Sequence, residues 1–190
     1  MWIYPSVITA LWLVWVVYWL VSARSAKVTA RVESTQSRFM HLLPLLVGVF
    51  LVEQSPLAHW RVLSMRALPW TAATYWCGVA LQVAGLLFTV WARIHLGRNW
   101  SAIVTVKEGH ELIRTGPYRW VRHPIYTGLL VAFLGNAVAY NAVGSFIGVA
   151  ICATAFLRKL RIEEAFLRTQ FGEDYALYAA ETRALLPLLY

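Results

Sequence analysis

Two clusters of ionisable residues stand beside apolar runs, and their residue types could hold a zwitterion. The first is Gly116-Pro117-Tyr118-Arg119-Trp120-Val121-Arg122-His123-Pro124-Ile125-Tyr126-Thr127-Gly128, which ends in the doorway of an apolar run starting at Ile125. The second is Arg158-Lys159-Leu160-Arg161-Ile162-Glu163-Glu164, just past the end of that run. Ionisable groups at a membrane boundary are costly unless they face protein, water or a ligand. Pro124 belongs in a first helical turn, where its missing N–H costs nothing. That puts Arg122 and His123 at a helix N-terminus, where free backbone N–H groups attract an anion. Glu163 and Glu164 offer acceptors for an ammonium or for ribose hydroxyls. Taken singly, Arg122 could be a snorkelling interfacial arginine, His123 a capping or packed histidine, and the glutamates ion-pair partners of Lys159 and Arg168 on one helix face.

The elements between the clusters decide whether they meet. From Ile125 to Leu157 the chain is largely apolar, interrupted near Asn136, Tyr140 and Asn141. Cut at Asn141, it gives two helices of about 16 residues, each about 24 Å long. A tight helical hairpin of that kind returns Glu163 and Glu164 to the side where Arg122 and His123 lie. Upstream, Trp2–Val21 is long enough to span about 30 Å of hydrocarbon. Phe39–Val52 is short for a span and could be interfacial or re-entrant, and Trp70–Ala92 is a clear span. Polar segments join them at Ser22–Arg38, Glu53–Pro69 and Arg93–His123. Arg158–Tyr178 carries Leu160, Phe166, Leu167, Phe171, Tyr175 and Tyr178 among charges, the pattern of an amphipathic helix extending the fifth span. The expected fold is therefore an all-α integral membrane protein of about five transmembrane helices with a C-terminal helical hairpin. No internal repeat is visible.

Composition agrees. The 190 residues are 59% hydrophobic and only 14% charged, against about 45–50% and about 25% in soluble domains. Ten tryptophans fit interfacial aromatic belts. The net charge of +8 lies between apolar runs, which favours anionic lipid headgroups over a nucleic acid. Cys77 and Cys152 sit inside apolar runs and indicate neither a disulfide framework nor a metal site. The N-terminus lacks a basic region and a cleavage motif, so it reads as a retained first span. With five spans and the N-terminus outside, the inner side receives four, six and five Lys or Arg, fifteen in all, and the outer side only Arg61 and Arg66. The positive-inside rule supports that orientation, with the site and the C-terminus on the cytosolic face.

The ordered set Arg122-His123-Pro124-x-Tyr126-x-Gly128, Glu163-Glu164 and Phe171-Gly172-Glu173-x-Tyr175 resembles the isoprenylcysteine carboxyl methyltransferase family, related to phospholipid N-methyltransferases. Further matching pieces are Leu96-Gly97-x-Asn99-Trp100-Ser101, Gly109-His110-x-Leu112 and Gly116-x-Tyr118. The resemblance runs from about Leu87 to the C-terminus, so residues 1–86 read as N-terminal spans and 87–190 as the catalytic region of one membrane domain. It implies a membrane methyltransferase that binds S-adenosylmethionine without a Rossmann domain. Carried over, it makes His123, Pro124, Tyr126, Gly128, Glu163, Glu164 and Tyr118 cofactor residues. Arg122 and Glu163 become the catalytic pair, Arg122 holding a cofactor or substrate carboxylate. His95–Tyr118 would cover the pocket. Five spans are fewer than in the eukaryotic enzymes, and nothing marks a prenyl-specific cavity.

Methyl transfer to a carboxylate needs positioning and desolvation but no general base. An amine or thiol acceptor must lose a proton, and His123, His95, His110 and the glutamates are the few groups able to take it. The expected function is S-adenosylmethionine-dependent methylation of a lipid-soluble or prenylated acceptor, a carboxylate first. No protein partner is required by anything in the sequence. The alternatives are a phospholipid or other amine or thiol methyltransferase, and a non-catalytic assembly or sensing protein.

Overall fold

The computed structural model describes residues 3–24, 29–32, 34–53, 60–100, 105–107 and 111–185, with backbone alone at 3–6, 29–32 and 105–107. Ser101, Gly109 and His110 lie outside the described residues. Six helices follow one another: α1 (Ile3–Ala23), α2 (Thr35–Glu53), α3 (Ala72–Leu96), α4 (Pro124–Tyr140), α5 (Val143–Phe171) and α6 (Glu173–Glu181). The chain is an α-helical integral membrane protein. By length and apolarity α2, α3 and α5 are long enough to cross a bilayer, while α1 and α4 are shorter apolar helices. The uncertain second run is thus a 19-residue helix.

Two features depart from expectation. A two-stranded antiparallel ribbon, β1 (Thr29–Val32) with β2 (Thr105–Lys107), joins the two polar segments on the site side of the bundle. The expected single helix from Arg158 to Tyr178 is broken: α5 ends at Phe171, Gly172 takes φ 54°, and α6 starts afresh. Glycine adopts a positive φ without strain, so the helix can end and turn there. The division at residue 86 falls inside the continuous helix α3.

Small residues set how closely the helices approach. A Cβ on Gly135 would sit 2.4 Å from the Gln82 amide nitrogen, and one on Gly85 would sit 2.5 Å from the Ala132 nitrogen. Seven residues apart on each helix, Gly78 and Gly85 of α3 face Gly135 and Gly128 of α4 in antiparallel order. Without a hydrophobic drive between helices in lipid, such backbone contact supplies the packing energy. The same device joins α2 to α5, where Gly48 meets Gly148 and Cys152, and the Ser145 hydroxyl donates to the Val52 carbonyl at 3.0 Å.

The hairpin turns at Asn141, which takes φ 56° in the left-handed region. Its side chain accepts from the Leu68 amide and donates to the Leu68 carbonyl, each at 2.6 Å. The amides of Val143 and Gly144, unsatisfied donors at the start of α5, donate to Met65 and Leu63 carbonyls at 2.9 Å each.

Gly135→Val should lower the thermal unfolding midpoint in detergent, because overpacking a tight contact costs about 1–3 kcal/mol. An unchanged midpoint would mean α3 and α4 do not touch there.

Candidate functional site

The hairpin does bring the two clusters together. Arg122 lies just before α4, and His123 caps it with φ −123° and ψ 59°. Arg122 Nε donates to Glu164 Oε1 at 2.8 Å, and its Nη1 donates to the carbonyls of Ala179 at 3.0 Å and Thr182 at 2.5 Å. The two side chains are 12% and 9% exposed, so this is a buried pair. His123 sits between the glutamates, Nδ1 3.4 Å from Glu163 Oε2 and Nε2 3.4 Å from Glu164 Oε1. The Tyr126 hydroxyl donates to Glu163 Oε1 at 2.5 Å. The rings of His123, Tyr126 and Phe156 stack in series, with centroids 5.5 and 4.9 Å apart. Lys159 Nζ stands 5.4 Å from the centroid of the Tyr126 ring.

Arg122 and His123 precede the apolar run of α4, and Lys159, Glu163 and Glu164 lie beyond the apolar part of α5, which ends before Arg158. Burial disfavours a charge on His123, but hydrogen bonds and the field of Glu163 and Glu164 outweigh it, and its pKa is raised. Burial likewise opposes ionisation of Glu164, yet His123 and Arg122 hold its carboxyl down at about 2. The pairing thus favours a protonated imidazole beside ionised carboxylates.

The C-terminal segment closes the site from below. The Arg122 and His123 amides donate to the carbonyls of Arg183 at 2.8 Å and Ala184 at 3.0 Å. The Thr127 hydroxyl donates to the Leu185 carbonyl at 2.5 Å. This corrects the expectation that these two N–H groups await an anion: the chain's own carbonyls occupy them. It also changes the reading of Arg122, whose Nε and Nη1 are engaged within the protein.

A cavity of about 620 Å³ opens between these elements. Arg122, His123, Pro124, Tyr126, Glu163 and Tyr118 border it; Gly128 and Glu164 do not. Gly128 packs instead against α3, where an added Cβ would lie 2.6 Å from Thr89 Cγ2. Glu164 stands behind the wall, and its other oxygen is 3.4 Å from Arg168 Nη2. Asn99, Trp100, Glu111 and Lys159 complete the polar end. Further along, the wall is apolar, from Trp12, Trp15 and Trp19 of α1 to Leu45 and Val49 of α2. Their spacing along α1 already placed the tryptophans on one helix face, but the sequence reading counted them only as belt residues. Trp15 Nε1 donates to Thr89 Oγ1 at 2.7 Å, tying that face to α3. His95 is bent away from the wall, its Nδ1 3.0 Å from the Trp91 carbonyl.

Fold and site together define an integral-membrane helical bundle holding a cavity that is polar at its ends and apolar between them. Residues 78–169, just under half of the chain, match the isoprenylcysteine carboxyl methyltransferase family. It is 29% identical over 122 residues to a rice protein (Oryza sativa subsp. indica) named "Probable protein-S-isoprenylcysteine O-methyltransferase". That alignment covers 60% of this chain and 64% of the relative. It is 31% identical over 101 residues to the protein-S-isoprenylcysteine O-methyltransferase of Schizosaccharomyces pombe, covering 52% of this chain and 43% of that one. The chain therefore spans less than two thirds of these relatives. The fold is also that of the eukaryotic intramembrane Ras methyltransferase ICMT, with a TM-score of 0.56 and 19% identity over 83% of this chain and 54% of that one.

Arg122→Lys cannot reproduce a guanidinium fork. It should loosen the C-terminal segment, raising hydrogen exchange at the amides of Ala179–Leu185 while α3 and α4 stay protected. Breaking a buried pair typically costs about 3–5 kcal/mol, so Arg122→Ala should have a larger effect. Unaltered exchange in both variants would remove the clasp from the argument.

Proposed function

We propose that this chain is an S-adenosylmethionine-dependent carboxyl O-methyltransferase acting on a lipophilic, isoprenylcysteine-like acceptor at the cytosolic face of a membrane. The observation that carries the reading is the cavity, which joins the Glu163, Tyr126 and His123 wall to an apolar channel between helices. The residues present suit the cofactor's chemistry. Glu163 can accept from an ammonium or from ribose hydroxyls, and Tyr118, Tyr126 and Trp100 give flat faces at the same end. When bound, the cofactor supplies an electrophilic methyl group on a sulfonium.

The protein's part is positioning. Glu163, fixed by the Tyr126 hydroxyl and His123, holds the cofactor, while His123 and Pro124 shape the floor. Arg122 and Glu164 act as positioning residues that anchor this wall to α6 and the C-terminal segment. Lys159 is the cation that orients the acceptor carboxylate, since Arg122 is largely spent. The enclosing tryptophans and leucines exclude water and raise the reactivity of that carboxylate. The carboxylates on either side of His123 favour its protonated form, which makes it a poor base. That disfavours amine and thiol acceptors, which must shed a proton.

Orientation follows from charge. With all five apolar runs crossing the membrane, fifteen of the 17 Lys and Arg fall on the side of the site, which supports a cytosolic site and C-terminus. In a Cys77→Ser background, a cysteine replacing Arg61 should react with an impermeant thiol reagent from outside, and one replacing Arg168 should not. The reverse pattern would invert the topology.

For the cofactor, Glu163→Gln should weaken S-adenosylmethionine binding by calorimetry about 10- to 150-fold, the worth of a charge-assisted hydrogen bond. Lys159→Gln should instead lower kcat/KM for N-acetyl-S-farnesylcysteine and leave cofactor affinity unchanged. Equal affinity in wild type and Glu163→Gln, or transfer of labelled methyl to lipid headgroups alone, would defeat this assignment.

A further inference from the structure

Methyl transfer accounts for one end of the cavity. The other end carries a carboxylate that the reaction does not use. Glu53, the last residue of α2, borders the same cavity as Glu163. Its Oε1 accepts from Asn136 Nδ2 at 3.3 Å and its Oε2 from the Tyr140 hydroxyl at 3.4 Å. Both partners lie in the second half of α4, whereas Glu163 is bound by Tyr126 near its start. Ten to fourteen residues of helix separate the two ends, or about 15–21 Å. One leaflet contributes about half of the ~30 Å hydrocarbon core, so the cavity has the reach of one long lipid chain.

We propose that Glu53, positioned by Asn136 and Tyr140, is a second polar subsite, which binds a hydrogen-bond-donating group, a hydroxyl or an ammonium, at the tail end of the acceptor. Naming the ligand an acceptor rests on the methyltransferase reading. The chemistry of the subsite follows from its unmet needs. An ionised carboxylate accepts about four hydrogen bonds, and Glu53 receives two long ones among the described residues. Asn136 and Tyr140 do not border the cavity themselves; they hold Glu53 at its wall. Glu53 therefore has acceptor capacity to spare. A plain hydrocarbon terminus would cover these oxygens without satisfying them, at a cost. A hydroxyl or ammonium terminus would satisfy them, and a second carboxylate would be repelled. The cavity thus rejects by chemistry at one end and reacts at the other.

The test uses the purified full chain in detergent and displacement of a fluorescent fatty acid from the cavity. Hexadecanoic acid, ω-hydroxyhexadecanoic acid and ω-aminohexadecanoic acid compete in turn. At least one of the two ω-substituted acids should displace the probe at a several-fold lower concentration than hexadecanoic acid, and which of them does so identifies the terminus. Glu53→Leu should abolish or invert this preference, and Glu53→Gln should keep a hydroxyl preference but lose an ammonium one. Cofactor affinity and the unfolding midpoint confirm that each variant is folded. Hexadecanoic acid binding best in wild type, or one unchanged ranking in wild type and both variants, would leave the cluster as an interhelical pin and overturn the proposal. Should Glu53→Leu fail to fold, the wild-type ranking and Glu53→Gln still decide. Displacement requires no catalysis, so a preserved preference without methyl transfer would sink the enzyme reading and spare the subsite.

Discussion

The reversal at Asn141 is the constraint on which the rest depends. A helix that rises through the bilayer and returns at once must place residues equally distant from the turn side by side. Tyr126 and Phe156 are fourteen residues before Tyr140 and thirteen after Val143, and their rings stack. Everything chemical in the site follows from that register. Glu163 meets Tyr126 and His123, and Glu164 meets Arg122, only because the two helices start from one tight, fully hydrogen-bonded turn. Asn141 supports the turn twice, by adopting a backbone conformation that most side chains resist and by pairing with both polar groups of Leu68.

The register brings charges into a poorly solvated place, which explains why the site is so densely cross-linked. A buried arginine–carboxylate pair is marginal unless its remaining donors and acceptors are satisfied. Arg122 solves this with two carbonyls from the end of α6, and Glu164 with His123 and Arg168. The consequence is a division of labour between adjacent glutamates. Successive positions on a helix point about 100° apart, so Glu163 can face the cavity while Glu164 faces the C-terminal segment. One is left to bind, and the other holds the wall.

Much of this was legible in the sequence because it depends on local rules. The αL-tolerant Asn141, Pro124 at a helix start, and apolar runs of bilayer length fixed the hairpin and the helix order. The pairing of Arg122–His123 with Glu163–Glu164 then followed from topology alone. What escaped depends on long-range backbone contacts. Strands of three and four residues such as β1 and β2 carry no periodic signal. Nothing local says that Arg183 and Ala184 return to cap α4. The family resemblance makes Gly128 a cofactor residue, whereas in the structure it packs against α3; glycine reports close approach but not the approaching partner.

Glu53 shows the same limit from another side. In sequence it marks the point where an apolar run stops, and Asn136 and Tyr140 look like interruptions of another. In three dimensions the interruption is absorbed: α4 continues through Asn136, and its polar groups turn toward a carboxylate from α2. A polar residue inside an apolar helix is tolerated where another helix or a cavity satisfies it. The bundle therefore keeps polar groups at both ends of one apolar channel, and its two ends impose different demands. The end near Glu163 must hold reacting groups in line, which needs rigidity and explains the clasp of Arg122. The end near Glu53 need only distinguish one chain terminus from another, for which a carboxylate with acceptor capacity to spare suffices.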